Sequence, residues 1–247
     1  MVEFPAINLV ARKLEFYALN LTMRTLAIGD IHGCHVALIT LLELVEPKPP
    51  DRIIFLGDYI DRGPASRQVV ESLLKLRRQH AAVFLRGNHE VMILDAREDV
   101  LKSNLWQSYG GLEALESYDA IFKQDWAEFI PSTHWKFFEQ TARYFETQSH
   151  IFIHACLDAE IDMDDQPDWL LYWEFVDRLR PHKSGKRVIC GHSPQPSGQI
   201  LDLGFALCLD TGAVNGGWLT CLDVTSGHWW QATEKRQTRH GSITTRS

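Results

Sequence analysis

No two of the five cysteines (Cys34, Cys156, Cys190, Cys208, Cys221) stand at Cys-x-x-Cys spacing, and their number is odd. That argues against a zinc knuckle and against a disulfide framework. Cys156, Cys190 and Cys221 sit in apolar runs that read as strands, where a thiol is expected to be buried and inert. Cys34 follows a polar loop motif, so a passive small residue competes there with a redox-sensitive one. Long apolar runs are missing too: none approaches the roughly 20 residues that a membrane span needs. Residues 1–22 lack the basic start, apolar middle and small-residue cleavage site of a secretory leader, which makes the cytoplasm the expected compartment. Basic charge is scarce, with a net charge of −7, which speaks against a nucleic-acid partner. A phosphorylated substrate stays open, because bound metal ions can supply the local positive field.

What the chain does contain is enough for one large domain: 247 residues, 45% of them hydrophobic. Residues 1–22 read as an extension with rough helical spacing at Leu9, Val10, Leu14 and Tyr17. Arg24 to Ile28 then reads as a strand running into Gly29-Asp30, and Leu38, Leu41, Leu42 and Val45 as one helical face stopped by Pro47, Pro49 and Pro50. Arg52 to Leu56 is a second strand, running into Gly57-Asp58. After a helix carrying Val69, Val70, Leu73, Leu74 and Leu76, Ala81 to Phe84 is a third, running into Arg86-Gly87-Asn88-His89. Strand, polar loop and helix in repetition are the α/β signature, with ligand sites outside the carboxyl ends of the strands. Residues 98–146 form an aromatic-rich helical insert, either a lid or a subdomain with its own small core. Strands return at Ile151–Ile153, Val188–Cys190, Phe205–Leu209 and Leu219–Val224, the last with hairpin turns at Asn215-Gly216-Gly217 and Ser226-Gly227. Residues 234–247 read as a polar, frayed tail, leaving 23–233 as the domain proper.

The segments Gly29-Asp30-Ile31-His32-Gly33, Gly57-Asp58-Tyr59-Ile60-Asp61-Arg62-Gly63, Arg86-Gly87-Asn88-His89-Glu90, His154 and Gly191-His192 all stand at the ends of these strands. A single Gly-Asp pair is usually a turn, and a lone histidine after a strand is usually structural. In this order and number they gather carboxylates, imidazoles and an amide on one sheet edge. Such an oxygen and nitrogen donor set, without thiolates, suits divalent manganese, iron or zinc.

On these motifs the chain resembles the PPP-type serine/threonine phosphatases of the calcineurin-like metallophosphoesterase superfamily. Asp210-Thr211-Gly212-Ala213 with Gly216-Gly217 adds a likeness to its bacterial members. The resemblance implies an α/β fold, an αββα sandwich, with two divalent metal ions at its edge, manganese first among the candidates. It implies that Asp30 and His32 bind one ion, that Asp58 bridges both, and that Asn88, His154 and His192 complete the second, Asn88 also meeting substrate. A water activated by the two ions would attack the phosphorus. His89 would be the general acid, with Asp61 orienting it, and Arg62 and Arg86 would grip the phosphate. Gly33, Gly57, Gly63, Gly87 and Gly191 would let the backbone turn sharply beside the metals.

The implied activity is phosphomonoester hydrolysis on phosphoserine or phosphothreonine in a protein. A bis(5'-nucleosyl)-tetraphosphatase-like hydrolase, acting on a small-molecule phosphoester, is the alternative; an inactive scaffold would need a lost ligand, and none is lost. One departure stands out. Where the family carries another phosphate-gripping arginine near a tryptophan, this chain has Trp173-Glu174, with Arg178 and Arg180 nearby.

Overall fold

The structure, a computed structural model, describes residues 23–243. Three short parallel strands, β1 (Thr25–Ile28), β2 (Arg52–Phe55) and β3 (Ala81–Phe84), alternate with helices α1 (His35–Val45) and α2 (Ser66–Arg77). Helix α3 (Asn88–Glu98) follows β3 directly. Short helices α4 (Val100–Trp106), α5 (Leu112–Ser117) and α6 (Ser132–Glu139) make up the insert, with a π-helical turn at Gln107–Gly111. Then come β4 (Phe145–Glu146), β5 (His150–Phe152), helix α7 (Asp168–Trp173), β6 (Arg187–Cys190), β7 (Leu201–Asp202), β8 (Ala206–Cys208) and β9 (Asp210–Thr211). The chain closes on the meander β10 (Trp218–Asp223), β11 (His228–Ala232) and β12 (Thr238–Ser242).

These strands form two sheets, one of seven strands in the order β12-β11-β10-β1-β2-β3 with β9 attached to β10, the other of five in the order β4-β5-β6-β8-β7. Side-chain alternation shows how they stack. In β1, Leu26 and Ile28 join the core under the helices, whereas Ala27 joins a separate apolar cluster. In β2, Ile53 and Phe55 face the helices and Ile54 the other side. The second sheet repeats the pattern, with Val188 and Cys190 outward and Ile189 inward, Cys208 outward and Leu207 inward. The inward residues of both sheets form one cluster, the filling of a sandwich. Both faces of the central strands β1, β2, β6 and β8 are thus buried, which is why these strands read as continuous apolar runs and not as alternating ones. Helix, sheet, sheet, helix is the expected αββα order.

The insert differs from both expectations for it. Trp106, Leu115, Trp126, Trp135, Phe137 and Phe138 are buried in the same cluster as Leu26 and Leu38, so the insert shares the main core. Tyr109, by contrast, is exposed. Residues 1–22, the expected extension, lie outside the described residues.

The tail needs correction as well. Residues 238–242 pair with β11 as β12, from Thr238 opposite Ala232 to Ser242 opposite His228. The strand is polar because it is an edge, and its contacts come from outside the apolar code. The Arg239 guanidinium lies 4.2 Å from the centroid of the Trp218 ring, and Gly241 leaves room for the Trp229 ring. Upstream, the Glu234 carboxylate accepts the N–H of Ala37 in the first turn of α1 at 3.3 Å.

Candidate metal centre

Each parallel strand ends in a loop that carries site residues, and the backbone of these loops is strained. His32 (φ 46°), Asp58 (53°), Asp61 (74°), Arg62 (65°) and His192 (62°) all lie in the left-handed region. Asp and His tolerate it better than most side chains, but such a concentration marks a functional loop set. The glycines divide into two kinds. Gly33 (φ 66°) and Gly57 (φ 105°) make the left-handed turns that were expected. Gly87 and Gly191 do not; a Cβ on either would fall 2.1 Å from an oxygen of Asp58 or Asp30. They are glycine so that backbone can touch the carboxylates.

Asp58 sits at the centre. Its Oδ2 is 3.4 Å from His32 Nε2 and its Oδ1 3.5 Å from His154 Nε2. Asn88 Oδ1 lies 3.1 Å from both His154 Nε2 and His192 Nδ1. Two donor groups result, sharing Asp58: His32 and Asp58 with a nitrogen of His89, and Asp58 with His154 and His192, the donor atoms of each within 4.8 Å of one another. Asp30 stands beside them, its carboxylate accepting the His192 N–H at 3.0 and 3.2 Å. Of the sequence-predicted ligands, His32, Asp58, Asn88, His154 and His192 converge directly, and Asp30 joins through that contact.

These residues fit a pair of cations. Each candidate imidazole places its other nitrogen on a backbone carbonyl: His32 Nδ1 on Ile60 O at 3.0 Å, His154 Nδ1 on Leu56 O at 2.8 Å, His192 Nε2 on Trp173 O at 3.1 Å. The carbonyl requires an N–H there, which leaves the site-facing nitrogen with its lone pair. Burial, outweighing the pull of Asp58, holds His32 down to about 3. Burial and the neighbouring His154 bring His192 to about 4. Both rings are therefore neutral at pH 7, the form that a metal ion requires. Burial would raise Asp58, but His154, His89, His32 and His192 together hold it below the usual carboxylate range. The Asp58 Oδ1 also accepts the His89 N–H, at 3.1 Å, in the first turn of α3, where the helix dipole favours an anion. Asp30 is pushed up by burial and by the charges of Asp210 and Asp58, a repulsion that cations relieve.

His89 is wholly buried. Its Nδ1 meets Asp61 Oδ2 at 2.6 Å, and its Nε2 has no hydrogen-bond partner among the described residues. Burial alone would keep the ring neutral; the charge of Asp58 and the bond to Asp61 outweigh it and raise its proton affinity.

The arginines separate in role. Arg62 is exposed, and its Nη1 is 3.0 Å from His32 Nε2, so its guanidinium already stands at the metal donors. Arg86 is largely engaged elsewhere: Nε donates to Thr141 Oγ1 at 2.9 Å and Nη2 to the carbonyl of Glu139 at 2.9 Å. It clamps the end of the insert and leaves only Nη1 for a phosphate. Arg178 pairs with Glu174 at 3.4 Å, and Arg180 turns to the carbonyls of Asp177 and Leu179.

Three residues were given no site role from the sequence. Glu90, buried in α3, accepts the backbone N–H groups of Asp58, Tyr59 and Gly87 at 2.9, 2.9 and 3.0 Å, tying two site loops together. Trp106 donates its indole N–H to Asp61 Oδ2 at 2.8 Å. Asp210, pushed up to about 6 by burial and by the charge of Asp58, brings a further buried acid to the site. The Asp-Thr-Gly setting of Asp210 and the Gly-Asn-His-Glu segment ending in Glu90 were signals, whereas nothing in the sequence marks Trp106. Cys34 is buried and pushed up to about 12 by burial and Glu234, which favours the passive reading.

Comparison with known proteins agrees with this geometry. The chain is 27% identical over 221 residues to an asymmetrical bis(5'-nucleosyl)-tetraphosphatase of Geobacillus sp., covering 79% of this chain and 88% of that one. It is 31% identical over 223 residues to serine/threonine-protein phosphatase 1 of Salmonella typhimurium, covering 80% and 90%. A crystal structure provisionally named as a diadenosine tetraphosphatase superposes with a TM-score of 0.62 at 22% identity, covering 90% of this chain and 95% of that one, a likeness of fold. The profile described as Calcineurin-like phosphoesterase matches residues 23–229. With that match spanning the whole donor set, the chain belongs to the calcineurin-like phosphoesterases, hydrolases that work with divalent metal ions.

Proposed function

We propose that this phosphoesterase is a serine/threonine protein phosphatase, and that His89 is its general acid. The observation that carries the reading is the buried His89–Asp61 contact of 2.6 Å beside the donors of Asp58. A serine or threonine alkoxide is a strongly basic leaving group and departs poorly without a proton. The nucleotide released from a dinucleoside polyphosphate is far less basic and has little need of one. A fixed, charge-supported imidazole is therefore most useful on an alkyl phosphomonoester. When bound, two divalent ions, held by Asp30, His32, Asp58, Asn88, His154 and His192, supply Lewis-acid polarisation and an acidic water. Arg62 would hold a phosphate oxygen in its guanidinium fork, Arg86 adding at most one N–H. His89 would pass its Nε2 proton to the departing oxygen, while Asp61 keeps the ring oriented through Nδ1.

One feature favours the second reading, a tetraphosphatase. Trp169, Trp173 and Phe175 are exposed, and the Phe175 ring lies 5.3 Å from that of His192. An exposed aromatic ring beside His192 suits a planar base. Parallel assays of manganese-loaded protein on a phosphoserine peptide and on diadenosine tetraphosphate decide between them. The reading expects kcat/KM to favour the peptide by about tenfold or more, within the range of general acid catalysis. A preference for the dinucleotide would overturn it.

A further inference from the structure

We infer that the helical insert is a positioning element for the proton donor, with Trp106 as its working residue. The inference rests on the reading of His89 as the acid. Trp106 lies 45 residues beyond Asp61 and is fully buried, yet its indole N–H reaches the same oxygen, Oδ2, that His89 Nδ1 contacts. The second oxygen of Asp61 has no partner among the described residues. The carboxylate is thus held through one oxygen by two donors, and its orientation depends on both. Without the indole it is free to rotate about its own bond and to present either oxygen to His89.

The insert fixes the indole in turn. Gly111 lies flat against it, so close that a Cβ would come within 2.6 Å of the ring. Trp126 closes over it with ring centroids 5.0 Å apart. The neighbouring Gly110, at φ 110° in the π-helical turn, offers its carbonyl to the N–H of Arg62 at 2.9 Å. A Cβ on Gly110 would strike that same N–H, at 2.7 Å. One turn of the insert therefore grips both neighbours, Asp61 by a side chain and Arg62 by backbone. The insert works by holding the catalytic loop from beneath, and opening it as a lid would break the buried core that Trp106 shares with α1 and α2.

Trp106→Phe removes the N–H and keeps an aromatic ring; Gly111→Ala keeps the N–H and displaces the ring. Both are compared with His89→Ala at matched metal content, on a phosphoserine peptide and on para-nitrophenyl phosphate, whose leaving group needs no proton. Trp106→Phe should lose about tenfold in kcat on the peptide with KM little changed, the scale of an outer partner's loss. Its loss on the aryl ester should be several-fold smaller. Gly111→Ala should follow in the same direction, and carries the test if Trp106→Phe does not fold. Equal losses on the two esters, or no loss on the peptide, while His89→Ala remains selective for the peptide, would overturn the positioning role alone. A non-selective His89→Ala would overturn the acid and the positioning role together.

Discussion

Glu90 has no place among the expected catalytic groups, yet it accepts N–H groups from Asp58 and Tyr59 on one loop and Gly87 on another. Glu90→Gln keeps the shape and turns one acceptor into a donor facing those N–H groups. Each mismatch costs about 1–3 kcal/mol when buried, and the distortion falls on Asp58 and Asn88. Manganese affinity, measured by chelator competition, should drop about 10–100-fold; unchanged affinity would show that the bridge is incidental. Most of the converging donors were legible at this scale because they stand near the ends of apolar runs, next to a glycine. The roles of Glu90 and Trp106 were not, since they lie in partners that only folding supplies. Arg86 was readable as a residue but not in its use, because Thr141 and Glu139, which hold it, lie far along the chain.

Two elements are tied together by side chains that local patterning does not mark. Asp51, before β2, accepts the Arg24 Nε at 3.0 Å, the Arg24 backbone N–H at 3.2 Å and the Lys48 N–H at 2.9 Å. Burial would raise its pKa, but these donors hold it below the ordinary value. A carboxylate so lowered contributes stability that is complete above about pH 3.9 and is lost as pH falls through its folded value. Asp51→Asn should be less stable than the parent at pH 7, with the gap narrowing below about pH 4; a gap constant from pH 7 to 3 in denaturant titrations would contradict this. At the start of α1, Cys34 offers no side-chain cap, and Glu234 serves from across the chain. Glu234→Ala should destabilise by about 1 kcal/mol, the usual scale of a lost N-terminal cap. No change in the unfolding midpoint would return this stretch to the status of a loose tail. Strand β12 escaped notice for the related reason that Thr238 to Ser242 carries no apolar code, its partners being the rings of Trp218 and Trp229.

The whole molecule follows from strands too short and too apolar to stand alone. Buried on both faces, they demand a second sheet and two helical layers, and the ends of β1, β2, β3, β5 and β6 then open toward common ground, where the donors meet. The layer order was readable from the strand–loop–helix rhythm together with the motifs' resemblance. The insert's union with the main core was not, because aromatic residues look alike whether they fill a private core or a shared one. Two cations sharing Asp58 would be seen in anomalous diffraction from manganese-loaded crystals. Two peaks about 3.5–4 Å apart are expected, one beside His32 and one beside His154 and His192, with Asp58 between them. A single peak at full loading, or two peaks with Asp58 touching only one, would contradict that sharing.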